Sequence, residues 1–133
     1  MERIVVRALL ALSLLLPLAC QRAESRVQEV AETFLNAYYT ADYDRAAQCC
    51  TPALAAQVSK GAQAQSLVPA EVAEKMKEAV SQTSFNIVFV EVDPDGTAAR
   101  VRYDLTVPGL DKPVPKTLHL QLEGRTARVD RIE

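Results

Sequence analysis

The 133-residue sequence contains no tryptophan, a single histidine and no run of basic residues. Nucleic-acid partners need a basic patch or stripe. Here 15 Lys and Arg stand against 17 Asp and Glu, a net charge of −2, so no nucleic acid is expected as a partner. Cysteine is scarce as well, limited to Cys20, Cys49 and Cys50. One distant and two adjacent thiols do not form the disulfide framework that staples very small secreted folds. With one His they also fail to supply the four converging ligands of a structural metal site. Stability has to come from an apolar core, and neither a metal nor a cofactor is expected.

What the sequence does have is a distinctive beginning. Arg3 and Arg7 supply a basic start, and Ala8 to Leu16 (ALLALSLLL) forms an apolar run. That run is about half of the roughly 20 residues needed to span a bilayer, which fits the apolar region of a signal peptide and not a transmembrane helix. It ends Leu16-Pro17-Leu18-Ala19-Cys20, with a cysteine directly after a small residue. This resembles the lipobox of bacterial lipoproteins, usually Leu, a small residue, Gly or Ala, then Cys; Pro17 and Leu18 depart from its commonest residues. The resemblance implies a diacylglycerol on the Cys20 thiol, cleavage before Cys20 and acylation (a palmitate-type chain) of the new amine. Several buried chains hold a protein firmly, where one anchors only marginally. Gln21 stands where an Asp would resemble the inner-membrane retention signal, which implies an outer-membrane address facing the periplasm. The other reading is an ordinary signal peptide cut nearby, leaving Cys20 a free thiol.

The chain then divides into a signal peptide over 1–19, a lipidated polar tether over 20–24 and a domain over 25–133. Removing residues 1–19 takes away Glu2, Arg3 and Arg7, leaving 114 residues with 13 basic and 16 acidic side chains, net −3. That length is one domain's worth.

Within the domain, Ser25 and Gln28 read as a capping box opening a helix. Val27, Val30, Ala31, Phe34, Leu35 and Tyr38 recur at the spacing of one helical face. Asp42 can cap a second helix through Cys50, and Thr51-Pro52 starts a third, which Gly61 is expected to stop. A polar loop over 62–66 and a helix from Pro69 to about Gln82 follow, with Val72, Met76, Ala79 and Val80 facing inward. From Ser84 the period becomes two. Phe85 to Val92 reads as a buried strand, and Asp93-Pro94-Asp95-Gly96 as a turn. Ala99, Val101, Tyr103, Leu105 and Val107 alternate with polar residues, as do Leu118, Leu120 and Leu122. A turn at Glu123-Gly124 leads to a last strand. The expected fold is α+β: N-terminal helices packed on one face of a four-stranded antiparallel curved sheet.

Two segments carry a resemblance. One is 31–43 (AETFLNAYYTADY), similar to an opening of the form FL-x-A-hydrophobic, then Asp and an aromatic. The other is 120–132 (LQLEGRTARVDRI), similar to a closing hairpin in which Ala127 stands where Trp is usual. On these residues the chain resembles the nuclear transport factor 2-like (SnoaL-like, cystatin-like cone) superfamily, and within it small bacterial lipoproteins of unknown function. The resemblance implies a cone-shaped pocket between helices and sheet. Enzymes of that superfamily place an Asp or His inside the cone.

Alternation tests for such a group. His119 lies between Leu118 and Leu120, Asp104 between Tyr103 and Leu105, and Asp130 opposite Val129, so all three are expected on the outer, solvated face. No catalytic residue is therefore nominated. The candidate pocket residues are Tyr38, Tyr43 and Tyr103, with Glu91 if the Phe85, Ile87, Phe89 face points inward. The plainer reading makes the tyrosines core aromatics with their hydroxyls at its edge. Cys49 and Cys50 are the candidate thiol or disulfide pair. Adjacent helical residues point about 100° apart, so Cys50 reads as a small core residue and Cys49 as the more exposed thiol. Together these features describe an envelope lipoprotein, anchored at Cys20, whose domain binds a partner protein or small ligand without catalysis. The alternative is a lyase- or isomerase-like pocket enzyme of the same superfamily.

Overall fold

A computed structural model describes residues 22–133; the expected signal peptide and Cys20 lie outside the described residues. Among the described residues no helix is long and apolar enough to cross a membrane. Helix α1 covers residues 22–39. Residues 22–24 are thus helical where a tether is expected, and Ser25 lies within the helix and does not cap it. Val27, Ala31, Phe34 and Leu35 on α1 are fully buried, the stripe that their spacing of three and four residues predicts.

The chain leaves α1 through Ala41, which takes a left-handed φ of 62°, and Asp42 N donates to Ala37 O at 2.8 Å. Asp42 then caps α2 (Tyr43–Gln48) by accepting from Arg45 N. α2 stops short of the expected Cys50 because the sheet competes for the backbone. Val129 N donates to Cys49 O and Thr51 N to Val129 O, both at 2.8 Å, which makes Cys50 a parallel bridge to Val129. α3 (Pro52–Ser66) begins with proline in its first turn. It runs through Gly61, contrary to the expected stop and loop. A mid-helix glycine costs about 1 kcal/mol, and the strong helix formers Ala62 to Gln65 carry the helix past it. α4 (Ala70–Ser81) has no buried residue. Val72 and Met76, expected inward, are 47% and 41% exposed.

Strands β1 (Ser84–Val92), β2 (Ala98–Thr106), β3 (Val114–Glu123) and β4 (Thr126–Ile132) form an antiparallel sheet in the order β1-β2-β3-β4. Ala99, Val101, Tyr103 and Leu105 of β2, Leu118 and Leu120 of β3, and Ala127 and Val129 of β4 are buried. They make one apolar face, and α1 supplies the layer that covers it. This is the expected α+β arrangement. Two irregularities bend the sheet. In β1, Ile87 pairs with Tyr103 but Phe89 with Arg102. Along the β3–β4 pair, His119 faces Arg131 and Leu120 faces Val129. Val88 and Asp130 are the extra residues. Arg26 Nη1 donates to Gly124 O at 3.3 Å, tying the start of α1 to the β3–β4 turn.

Candidate functional site

The four candidate pocket residues do not converge. Glu91 is the clearest departure. Its inward placement requires Phe85, Ile87, Phe89 and Glu91 to share a face, and the bulge at Val88 breaks that series. Phe85 and Ile87 lie opposite the inward Leu105 and Tyr103. Beyond the bulge it is Val90 and Val92 that oppose the inward Val101 and Ala99. Phe89 and Glu91 are turned outward, and Glu91 Oε2 accepts from Arg100 Nη2 at 2.7 Å on the solvated face. Tyr103 is only 1% exposed, a core residue and not a pocket wall. Its hydroxyl meets that of Tyr39 at 2.9 Å. Burial raises the Tyr103 pKa above its ordinary value, and the bond to Tyr39 raises it further. Tyr39 is the partner missing from the sequence reading; its position four residues after Leu35 on the buried stripe is the available signal.

Tyr38 and Tyr43 do come together, with ring centroids 5.9 Å apart and planes at 72°. Phe34 stacks on Tyr38 at 5.4 Å, and the left-handed turn at Ala41 brings Tyr43 back towards the end of α1. The two rings border an open cavity of about 630 Å³ whose other walls include Leu54, Val58 and Gly61 of α3 and Asp130 and Ile132 of β4. Gly61 lets α3 pass close to the Tyr43 ring: a Cβ there would meet three of its atoms at 3.8 to 4.0 Å, in ordinary contact. Burial raises the Tyr38 pKa, with the Tyr43 hydroxyl adding to the effect.

Asp130 is exposed, as its alternation with Val129 predicts; as the extra residue at the bulge it also borders the open cavity, together with Arg131. Its Oδ1 accepts from Thr51 Oγ1 at 3.4 Å. Arg131, next in sequence, borders the same cavity but has its guanidinium committed elsewhere. Its Nη2 lies 3.4 Å from Glu133 Oε1. His119 is on the outer face as expected, donating through Nε2 to Glu133 Oε2 at 2.8 Å. A carboxylate only accepts, so the proton is on that nitrogen. This bond, and Arg131 after it, lowers the Glu133 pKa.

Cys49 and Cys50 are both free thiols. Cys50 is 4% exposed, donates through Sγ to Ala46 O at 3.2 Å, and has its pKa pushed up to about 12 by burial and then by Cys49. The Cys49 pKa is raised less, by burial, against the opposing pull of Arg45. A thiol kept protonated is a poor nucleophile and a poor metal ligand. Among the described residues no group of three or more His, Cys, Asp or Glu could hold a metal ion.

No family model and no curated protein sequence matches the chain. Solved structures similar to it include the following three. One is a protein of unknown function with a cystatin-like fold from Methylobium petroleophilum, at 14% identity and TM-score 0.49, covering 80% of this chain and 74% of that one. Another is an NTF2-like protein of unknown function from Cytophaga hutchinsonii, at 11% identity and TM-score 0.41, covering 80% and 88%. The third is a de novo β-sheet design protein, at 18% identity and TM-score 0.40, covering 85% and 87%. None of these likenesses extends to a ligand or an activity.

Proposed function

We propose that the protein is a lipid-anchored lipoprotein of the bacterial envelope whose folded domain binds a small ligand or partner without catalysis. The anchoring half of the proposal rests on Leu16-Pro17-Leu18-Ala19-Cys20. The binding half rests on one observation, the open cavity of about 630 Å³ walled by Tyr38 and Tyr43. Its volume is within the range of small-molecule sites, and its wall combines the two tyrosines and aliphatic side chains with the polar Gln57, Asp130 and Arg131. His119 and Glu91, the groups one would want for proton transfer, are on the other face of the sheet.

Growth with a radioactive fatty acid tests the anchor. The wild-type protein is expected to be labelled and membrane-bound, and Cys20→Ser unlabelled and released; an unlabelled wild-type protein overturns the anchoring. For the cavity, mass spectrometry of small molecules co-purifying with the wild type and with Gly61→Leu is the direct measurement. A ligand retained by the wild type and lost from the filled variant is expected. Equal retention would place binding outside the cavity.

Asp130 favours a second reading, a lyase- or isomerase-like activity, because it is a carboxylate residue bordering the same cavity as Tyr38 and Tyr43. A general base must lie within hydrogen-bond reach of the proton it takes, and only Asp130 among the cavity's walls carries a carboxylate. The two readings separate on Asp130→Asn. An enzyme loses turnover with its ligand still bound, whereas a binding module has no turnover to lose.

A further inference from the structure

We infer that the free edge of β1 is a self-association surface, where a second copy of this chain lays its own β1 antiparallel. The inference does not depend on the cavity or on the anchor. The two edges of the sheet differ. At the β4 edge, Cys49 and Thr51 already take up the backbone of Val129 at 2.8 Å, and the strand carries Arg128, Asp130 and Arg131. At the β1 edge, among the described residues, no backbone group from Ser84 to Val92 bonds to any element but β2. β1 has nine residues and neither Lys nor Pro, the residues that commonly blunt an edge. Its one charged side chain, Glu91, is paired with Arg100 at 2.7 Å.

The bulge at Val88 is the edge's remaining protection against stray pairing, and it also fits the edge to a copy of itself. From Phe85 to Val92 the residues run half-buried, exposed, half-buried, exposed, exposed, half-buried, exposed, half-buried, the same in both directions. A strand of eight residues in strict alternation reads differently from its two ends. About a two-fold axis between residues 88 and 89, Phe85 falls opposite the second copy's Val92, and Asn86 opposite its Glu91. Ile87 falls opposite its Val90, and Val88 opposite its Phe89. Every half-buried side chain then meets a half-buried one, which extends the apolar layer that Phe85, Ile87, Val90 and Val92 border. Val88 and Phe89, 60% and 49% exposed, gather at the axis with their counterparts. Glu91 meets an amide and lies about 17 Å from the second copy's Glu91, at about 3.4 Å per residue. A foreign strand of strict alternation matches only one half of β1, whereas a copy matches both. A self-complementary contact of this kind is what a two-fold dimer is built on.

A single strand pair is smaller than a standard interface, so the dimer is weak in solution and the test traps it covalently. Full-length protein carrying both Asn86→Cys and Glu91→Cys is oxidised with copper phenanthroline and run on a non-reducing gel beside each single variant. The double variant is expected to give about tenfold more reducible dimer than either single one, because only it opposes two new thiols within disulfide range. Within one chain the two positions are too far apart to bridge, and all three variants share Cys20, Cys49 and Cys50 as background. No dimer from the double variant, or as much from a single one, overturns the inference. Two additions to the double variant test the site. Val88→Lys sets like charges at the axis and should abolish the dimer, whereas Leu110→Lys, at an exposed apolar residue between β2 and β3, should leave it. Loss with both, or with neither, would mean unspecific association and would overturn the pairing. Oxidation in intact cells extends the test to other proteins. A reducible band of another mass in place of the dimer would assign the edge to a foreign strand and overturn the second copy.

Discussion

Ala41 is a small residue with a large influence on the candidate site. Its φ of 62° is in the left-handed region, which costs a non-glycine residue roughly 1–2 kcal/mol. The turn it makes ends α1 and directs Tyr43 back against Tyr38, so the strain is spent on the cavity wall. Ala41→Gly relieves that strain at the cost of a more flexible unfolded chain, and a net gain of about 0.5–1 kcal/mol in urea unfolding is expected. A loss would show that the turn is unstrained. The Tyr39–Tyr103 pair is the opposite case, stabilising and outside the cavity wall. Tyr103→Phe leaves the half-buried Tyr39 hydroxyl to find water and should cost about 0.5–1.5 kcal/mol. Truncation to Ala should cost about 3–5 kcal/mol, because an almost wholly buried ring is removed. Similar values for the two variants would mean that the hydroxyl bond, not ring packing, holds the site.

At the scale of elements, the regular parts of the sheet were legible and the bulges were not. In β2 the alternation of Ala99, Val101, Tyr103 and Leu105 with charged residues leaves one register open, since a slip by one residue would bury Arg100 and Arg102. β1 is apolar at nearly every position from Phe85 to Val92, so its pattern allows either face and a bulge at Val88 is compatible with both. Glu91 was misplaced for that reason. Asp130 is exposed as its alternation predicts, but the pattern could not show that the extra residue at the bulge borders the cavity beside Arg131. Phe89 and Val90 test the bulge directly. An unbulged strand that starts with Phe85 inward has Phe89 in the core and Val90 outside; the structure has the reverse. Val90→Ser should therefore destabilise by more than 1 kcal/mol while Phe89→Ser stays within about 0.5 kcal/mol, and the opposite order would restore the regular strand. α4 shows another limit of pattern reading: its apolar stripe predicts a helix correctly but does not say that anything covers it.

For the whole molecule, the buried protons share one sign. Cys50 is raised from 9.0 to about 12, Tyr103 is raised from 10.0, and Tyr38, Tyr39 and Cys49 are shifted the same way. Burial is the leading cause in each case, since an apolar core penalises the charged form. These groups keep their protons in the folded state after the unfolded chain has begun to release them. Above the unfolded value the folded state therefore binds more protons, and stability falls as pH rises. The contribution of Cys50 is fully present below pH 9 and lost by about pH 12, the interval between its two values; each proton held only in the folded state removes about 1.4 kcal/mol per pH unit there. Urea unfolding midpoints should hold steady between pH 7 and about 8.5 and then decline steeply. Cys50→Ala separates this linkage from general alkaline damage. The variant loses some packing at pH 7, but it has one fewer buried proton to defend, so its decline above pH 9 should be shallower than that of the wild type. Parallel declines would mean that the Cys50 thiol titrates alike in the folded and unfolded chains, and that its burial does not control the alkaline limb.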